Sequence, residues 1–191
     1  FDSTGLVFAV TAAIPGGAGN LLHLYDARKY DSGPFSELKV DQSSVENFLT
    51  GKSMNMSNAK ELSRMEWKSI AFNTTGSQML ATTNNMTGGG LALVLDGFTA
   101  DVLQTFTLPK AAEDDTDSSS SSTSMTACFT QDDKYVLTGG CSNGTIQCWE
   151  ASGTGNLITT LSGHNAGPVN AIACNPKRAM FASCCTNTAL W

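Results

Sequence analysis

The strongest constraint on the fold is a strand-like pattern that recurs along the chain. Residues 21–26 (LLHLYD), 91–96 (LALVLD) and 145–150 (TIQCWE) are apolar-rich runs that end in a large residue followed by an acid. The last four residues, TALW, end in the same way on Trp191, which lies 42 residues after Trp149. Recurrence of one short pattern indicates an internal repeat, and alternation of apolar with polar residues inside it indicates β-strands.

Further β-like runs accompany these four, and together they form a repeating unit. Each of the four runs is preceded by another β-like run. In three units a further run lies before that preceding run, and in three units a run follows the acid. Turn residues such as Gly, Asn and Asp separate the runs, so we expect four short strands per unit, joined by tight turns. The runs are 6–12, 34–40, 69–76, 78–83, 102–108, 125–133, 134–140, 156–163, 169–177 and 179–185.

This unit resembles the WD repeat, in which about 40–45 residues form four strands with a Gly-His and a Trp-Asp signature. Gly163-His164 precedes the last unit at the place where the signature has it, and Trp149 and Trp191 hold the same place in successive units. Each WD repeat is one blade of a β-propeller, so the resemblance implies an all-β fold, a WD-repeat β-propeller. The expected blades are residues 1–40, 65–108, 124–163 and 164–191.

The resemblance also implies a structural tetrad, in which a His, a Ser or Thr, a turn Asp and the Trp form hydrogen bonds that hold a blade together. In the last unit these places fall on His164, Ser183 and Trp191, with Asn187 near the place of the Asp. In the preceding unit Gly139 stands where the Ser is usual. We expect these side chains to affect stability and not activity.

The two ends of the repeat array are shorter than its middle. The first unit lacks its first strand apart from the tail FDSTG, and the last unit lacks its fourth strand. A closed ring of four such blades would leave strand edges without partners. We therefore expect about four C-terminal blades of a seven-bladed propeller, whose missing outer strand comes from the N-terminus of a longer protein.

Two insertions, residues 41–64 and 109–124, lengthen the connections between units. In the first insertion, Ser43 and Glu46 have the spacing of a capping box, so we predict one short helix. The second insertion is acidic and then consists of Ser and Thr. It cannot bury apolar area, so we expect it to be mobile. Phosphorylation of its Ser run would add charge that attracts an Arg-rich partner segment.

Charge and composition argue against two classes of binding. The chain has 11 Lys and Arg against 17 Asp and Glu, a net charge of −6, and its basic residues are scattered. Nucleic-acid binders usually carry a basic stripe, so we expect no direct contact with DNA or RNA. No apolar run approaches the ~20 residues of a membrane helix, so we expect no membrane association. The six cysteines fit small buried side chains in a reducing compartment, with a disulfide framework as the alternative.

Residues suited to catalysis or metal binding are scarce. The two histidines, His23 and His164, have structural interpretations on a strand and in the tetrad, so we expect no Ser/His/Asp triad. A P-loop with Gly51 as its final glycine would need a Gly where the chain has Glu46. No two cysteines have the C-x₂₋₄-C spacing of a zinc site. We therefore predict that the protein is not an enzyme and holds no metal or cofactor.

Three stretches are more specific than the generic repeat, namely LYDARKYDSGPF (24–35), EWKSIAFNTTG (66–76) and GPVNAIACNPKRAMFASCCTNTALW (167–191). They resemble the Swd-two-type WD-repeat subunit of COMPASS histone lysine methyltransferase complexes and of transcription termination and phosphatase complexes. The resemblance implies a non-catalytic protein-interaction scaffold in the nucleus, working on chromatin. Its implied partners are protein subunits of a multiprotein complex, bound through disordered peptide segments. Both insertions are longer than the family pattern.

The turn within the first of these stretches supplies the candidate partner-binding residues, Asp26, Arg28, Tyr30 and Phe35. Its Asp-x-Arg and Asp-x-Gly-Pro-Phe pattern is unusual for a connection between strands. A brace between Asp26 and Arg28 inside the turn is the alternative interpretation of the first two residues. Two other functions stay open: a different WD-repeat adaptor, such as a ubiquitin-ligase substrate receptor or a ribosome-assembly factor, and an enzyme built on a propeller.

Overall fold

Short strands make up most of the folded chain. The computed structural model describes residues 1–16, 18–64, 66–83, 90–108, 125–141, 143–165 and 167–191. Within these residues fourteen strands form four antiparallel sheets and helices are few, which confirms the all-β expectation. The strands are β1 (Val7–Ala13), β2 (Gly19–Asp26), β3 (Ser36–Asp41), β4 (Trp67–Phe72), β5 (Gln78–Thr83), β6 (Gly90–Asp96), β7 (Val102–Leu108), β8 (Thr126–Phe129), β9 (Tyr135–Gly139), β10 (Thr145–Glu150), β11 (Leu157–Ser162), β12 (Ala171–Cys174), β13 (Phe181–Cys184) and β14 (Thr188–Leu190).

Each sheet is built from strands that follow one another along the chain. The orders are β1-β2-β3, β4-β5-β6-β7, β8-β9-β10-β11 and β12-β13-β14. Antiparallel neighbours can be joined by short turns, which the Gly- and Asn-rich connections of this sequence supply. The first and the last sheets along the chain have three strands each, and the two sheets between them have four.

Contacts between residues divide the chain into two compact units. The first comprises Phe1–Ala81 with Leu93–Thr105, and the second comprises Thr82–Ala92 with Phe106–Trp191. The sheet β1-β2-β3 lies in the first unit, whereas the sheets β8–β11 and β12–β14 lie in the second.

In the first unit, β2 shows the alternation that its sequence predicts. Leu22 and Leu24 are buried, whereas His23 lies between them on the opposite, half-exposed face of the sheet. The His23 ring meets the Tyr25 ring edge-on, with 6.5 Å between the ring centroids. His23 is therefore a strand residue packed beside an aromatic ring.

The first insertion forms two helices, α1 (Gln42–Gly51) and α2 (Met56–Ser63), where the sequence predicts one. The predicted capping box is wrong, because the residue before Ser43 is already helical and Ser43 lies inside α1. The Glu46 side chain consequently does not close a capping box with Ser43. It accepts a hydrogen bond of 2.6 Å from Gln42 Nε2 instead.

Sequence reasoning misses α2, although the helix has a clear N-terminal signal. The Asn55 side chain accepts a hydrogen bond of 2.8 Å from the N–H of Asn58, which is the usual N-cap interaction. The helix buries only Ala59 and Ser63. Two buried small residues give too weak a periodic pattern to predict a helix.

A lysine ties the end of α1 to β7 within the first unit. The Lys52 ammonium donates hydrogen bonds to Gln104 Oε1 and, at 3.0 Å, to the carbonyl oxygen of Thr105. Burial lowers the pKa of Lys52 below its ordinary value. The end of α1 is thus attached to β7 by polar contacts.

In the second unit, an apolar cluster joins strands from the sheets β8–β11 and β12–β14. Its buried members are Leu137, Ile146, Val169 and Ile172. Gly139 permits the close packing of this cluster, because a Cβ added there would lie 2.9 Å from the Cβ of Val169. The glycine that seems to interrupt the β9 pattern therefore has a packing role.

The second insertion, residues 109–124, lies outside the described residues, and so does the Ser-rich run predicted to be mobile. In the described part of the chain, no helix is long and apolar enough to span a bilayer.

Candidate protein-interaction site

The connection between β2 and β3, residues 26–35, is named here the aromatic turn. Asp26 begins it, and its Oδ1 accepts a hydrogen bond of 2.9 Å from the N–H of Arg28. The N–H of Lys29 donates to the carbonyl oxygen of Asp26 at 3.0 Å, which closes the first bend. An Asp side chain that bonds the backbone two residues later is a common way to start a turn.

Asp26 and Arg28 also form a two-pronged ion pair. Arg28 Nε donates to Asp26 Oδ1 at 3.0 Å, and Arg28 Nη2 donates to Oδ2 at 2.8 Å. This bonding by the Arg28 guanidinium lowers the pKa of the Asp26 carboxyl to about 2. The structure therefore brings these two candidate residues together as a brace inside the turn.

The other two candidates, Tyr30 and Phe35, face solvent. Tyr30 opens a single 3₁₀ turn, Tyr30–Ser32, and Gly33 follows with a φ of 88°, a conformation that favours glycine. The N–H of Phe35 then donates to the carbonyl oxygen of Leu24 at 2.9 Å. The Tyr30 and Phe35 side chains are 65% and 60% exposed. A backbone fixed by these hydrogen bonds thus presents two aromatic rings to water.

The turn between β6 and β7, in the same unit, provides an internal comparison. Asp96 ends β6 as Asp26 ends β2, and its Oδ1 accepts hydrogen bonds from the N–H groups of Phe98, at 2.8 Å, and Thr99, at 3.0 Å. Phe98 stands at the position that Arg28 has in the aromatic turn, and it is 74% exposed. An exposed aromatic ring on an Asp-started turn is therefore available as a matched control.

The last sheet brings together the three expected tetrad residues. Ser183 Oγ lies 2.7 Å from His164 Nε2 and accepts a hydrogen bond of 2.8 Å from Trp191 Nε1. Ser183 and His164 are buried. An indole N–H can only donate, so the Ser183 hydroxyl hydrogen is free to bond His164 Nε2. The Ser183 hydroxyl thus connects His164, in the segment before β12, with Trp191, at the end of β14.

The remaining nitrogen of His164 contacts a cysteine. His164 Nδ1 lies 3.2 Å from Cys185 Sγ. We expected the place of the tetrad Asp near Asn187, and Cys185 takes that place instead. The backbone N–H of Asn187 bonds the Cys185 sulfur, and this contact, with smaller ones from Thr186 and His164, lowers the pKa of the Cys185 thiol to about 7. A thiol that ionises near neutral pH can supply the negative partner that an Asp would supply.

The Gly-His pair of the repeat signature has a steric reason here. A Cβ added at Gly163 would lie 2.6 Å from Cη2 of Trp191. The indole also stacks on Phe181, with 5.7 Å between ring centroids and 8° between ring planes. Gly163 therefore makes room for the same ring that Ser183 fixes through its hydroxyl.

In the preceding sheet, Thr138 and not Gly139 supplies the hydroxyl. Trp149 Nε1 donates a hydrogen bond of 2.9 Å to Thr138 Oγ1. The sequence placed this position at Gly139, one residue too far along the strand. Adjacent strand residues point to opposite faces, so only Thr138 shares a face with the indole. Among the described residues, no group of three or more His, Cys, Asp and Glu is arranged to hold a metal ion.

Comparison with known families accounts for this pattern. Residues 116–150 and 155–190 match the WD40 family, described as WD domain, G-beta repeat. The chain contains WD40 repeats. The first matched segment ends one residue after Trp149 and the second one residue before Trp191, the two indoles that donate to the Thr138 and Ser183 hydroxyls.

Two curated proteins are similar to this WD-repeat chain along its whole length. WD repeat-containing protein 82 of Drosophila melanogaster is 31% identical over 192 residues, which cover 100% of this chain and 48% of that protein. Protein ANTHESIS POMOTING FACTOR 1 of Arabidopsis thaliana is 31% identical over 191 residues, which cover 100% of this chain and 46% of that protein. The chain thus spans about half the length of the curated relatives it matches.

Solved structures share its fold at low sequence identity. The Dos1 propeller is 12% identical with a TM-score of 0.59, over 97% of this chain and 38% of that one. Chaetomium thermophilum Sqt1, bound to the N-terminus of the ribosomal protein L10, is 16% identical with a TM-score of 0.56, over 100% and 44% of the two chains. These similarities concern the fold alone, which is WD40 propeller-like with four antiparallel sheets.

Proposed function

We propose that the chain is part of a non-catalytic scaffold that binds protein partners, and that the aromatic turn is one of its contact sites. The observation that carries this proposal is the exposure of Tyr30 and Phe35 on a turn that its own hydrogen bonds hold in place. Aromatic side chains supply much of the binding energy of protein interfaces and lose little conformational entropy there. A fixed turn carrying two of them suits the binding of a peptide segment.

The brace gives Asp26 and Arg28 a supporting role in this proposal. Both carboxylate oxygens and two guanidinium nitrogens are used within the turn, so the pair neutralises its own charge. We therefore assign recognition chiefly to Tyr30 and Phe35, and positioning to Asp26 and Arg28. A change such as Arg28→Glu would put two carboxylates side by side and alter the turn itself, which makes it a poor test of direct contact.

For the whole protein we propose a regulatory role in a nuclear complex, either a COMPASS-type histone lysine methyltransferase complex or a transcription termination and phosphatase complex. The support is the resemblance of residues 24–35, 66–76 and 167–191 to the Swd-two-type subunit. Similarity to WD repeat-containing protein 82 along the whole chain agrees with a common architecture. The partners would be protein subunits that contribute extended peptide segments.

Affinity purification of the tagged full-length protein from its native cells, followed by mass spectrometry, tests the proposed role. Subunits of a methyltransferase complex, or of a termination and phosphatase complex, are the expected co-purifying proteins. Ubiquitin-ligase or ribosome-assembly subunits in their place would contradict the nuclear role and support a different WD-repeat adaptor.

A pair of variants tests the proposed contact site in the same experiment. Tyr30→Ala combined with Phe35→Ala should reduce recovery of the partner subunits at least tenfold, because an aromatic hot spot is worth roughly 2 kcal/mol or more. The matched control is Phe98→Ala, which removes an exposed ring from a similar turn. Equal recovery with both variants would contradict the assignment of the aromatic turn.

A further inference from the structure

Two cysteine thiols meet beside the apolar cluster of the second unit. Cys128 lies on β8 and Cys174 on β12, and their sulfur atoms are 3.3 Å apart. Both side chains are half-buried and both are free thiols. A disulfide bond needs its sulfur atoms about 2.05 Å apart, so an approach of about 1.3 Å would join the two. The contact links the first strands of two different sheets.

A cavity of about 360 Å³ gives small molecules a route to one of these thiols. Cys174 lines it, together with a third cysteine, Cys148, whereas Cys128 is not among its lining residues. Apolar side chains, including Leu161 and Phe181, form much of its wall. An uncharged reagent no larger than a hydroperoxide could enter such a space and would meet Cys174 before Cys128.

The contact between the two sulfur atoms also affects which thiol reacts first with an oxidant. Either sulfur can donate the hydrogen of this contact, and when Cys128 donates it, the hydrogen bond lowers the pKa of Cys174. The same hydrogen bond, together with burial, raises the pKa of Cys128. The thiolate is the nucleophilic form of cysteine. Since Cys174 also lines the cavity and Cys128 does not, we assign Cys174 as the attacking group and Cys128 as the thiol that reacts in the second step.

We propose that Cys174 and Cys128 form a hydroperoxide-responsive thiol pair, in which Cys174 is oxidised first and Cys128 completes a disulfide between the two sheets. In the first step Cys174 gives its proton to solvent and its thiolate attacks one oxygen of hydrogen peroxide. The O–O bond breaks, the leaving hydroxide takes a proton from solvent, and a sulfenic acid and one water form. In the second step the Cys128 sulfur displaces that hydroxyl group, and its own proton leaves with it as a second water. Each sulfur loses one electron, and the two peroxide oxygens gain them.

Peptide mapping of the full chain after hydrogen peroxide treatment tests the pair. Trypsin with a glutamyl endoprotease cuts after Lys134, Glu150 and Lys177, which puts Cys128 and Cys174 on separate peptides away from the other cysteines. With free thiols blocked before digestion, the first disulfide to appear should join these two peptides. A first disulfide between any other two cysteines, or none at all under conditions that oxidise Cys174, would overturn the proposal.

Single variants separate the two steps. Cys128→Ser should leave Cys174 as a sulfenic acid that dimedone traps, whereas Cys174→Ser should leave Cys128 reduced. Cys148→Ser is the matched control, because it removes a thiol from the same cavity and should not prevent the crosslink. Dimedone labelling of Cys128 ahead of Cys174 would contradict the assigned roles. The oxidised wild-type chain should also need more urea to unfold than the reduced chain, and Cys128→Ser should abolish that difference.

Discussion

Replacing Ser183 with Ala should weaken the last sheet, because one hydroxyl holds two side chains. In the wild-type chain Ser183 Oγ bonds His164 Nε2 at 2.7 Å and Trp191 Nε1 at 2.8 Å. His164 is only 4% exposed, so its nitrogen would lose a partner that water cannot readily replace. A buried polar group left without a partner costs about 1–3 kcal/mol, and a half-buried hydrogen bond adds about 1 kcal/mol. The expected loss in the free energy of unfolding is therefore about 2–4 kcal/mol.

Urea unfolding followed by tryptophan fluorescence measures this loss. With an m-value of roughly 2 kcal/mol per molar, the unfolding midpoint should fall by about 1–2 M while the m-value stays constant. Ser162→Ala is the control, because Ser162 is exposed on β11 and should shift the midpoint little. A Ser183→Ala shift no larger than that of Ser162→Ala would refute the reasoning that the hydroxyl joins the two side chains.

Three further predictions follow from the same contacts. Gly163→Ala should destabilise the chain by about 1–3 kcal/mol in urea unfolding, since its Cβ would lie 2.6 Å from an indole carbon, whereas Gly51→Ala, with open space around it, should not. The rate of alkylation of Cys185 should increase as the pH rises through about 7. The folded chain releases the Cys185 proton at lower pH than the unfolded chain does, so the free energy of unfolding should increase between about pH 7 and the ordinary thiol pKa near 9. Arg28→Ala should raise the pKa of Asp26 from about 2 towards 3.8 in an NMR titration.

Stability and pH are linked for Asp26 in the same direction as for Cys185. The folded pKa of the Asp26 carboxyl is lowered, so the stability it contributes is present above its ordinary pKa and disappears as the pH falls towards about 2. In Arg28→Ala this acid-dependent loss should be smaller. A pKa of Asp26 that does not change in the variant would contradict the brace.

Most of the fold could be predicted because strand alternation and turn residues are local signals. The predicted runs 78–83 and 102–108 coincide with β5 and β7. The run 69–76 is less accurate, since β4 begins at Trp67 and its predicted end, Asn73–Gly76, forms a turn. Turn residues inside an apolar run are hard to assign from sequence, because the same residues occur at strand ends.

The hydrogen-bonded residues near each Trp were harder to predict because they depend on hairpin length. The connection between β9 and β10 is residues 140–144, whereas that between β13 and β14 is only 185–187. The hydroxyl consequently lies 11 residues before Trp149 but only 8 residues before Trp191, so no single spacing finds both Thr138 and Ser183. The Cys185 contact has no sequence signal at all, since it depends on how the short hairpin places a thiol beside His164.

The aromatic turn shows the same division between local and non-local information. The Asp-x-Arg brace is predictable from a spacing of two residues, and the structure has it. The exposure of Tyr30 and Phe35 is not, because it depends on what packs over the turn. Sequence identifies the turn as unusual, and the structure shows that Asp26 and Arg28 brace it while the Arg28, Tyr30 and Phe35 side chains are exposed.

Direct binding to the purified partner complex tests the proposed scaffold role most sharply. The dissociation constant is measured by biolayer interferometry for the wild type, for Tyr30→Ala with Phe35→Ala, and for Phe98→Ala, after circular dichroism shows that all three are folded. We predict that the double variant binds at least tenfold more weakly while Phe98→Ala binds as the wild type does. Wild-type affinity in the double variant would contradict the claim that the aromatic turn recognises the partner.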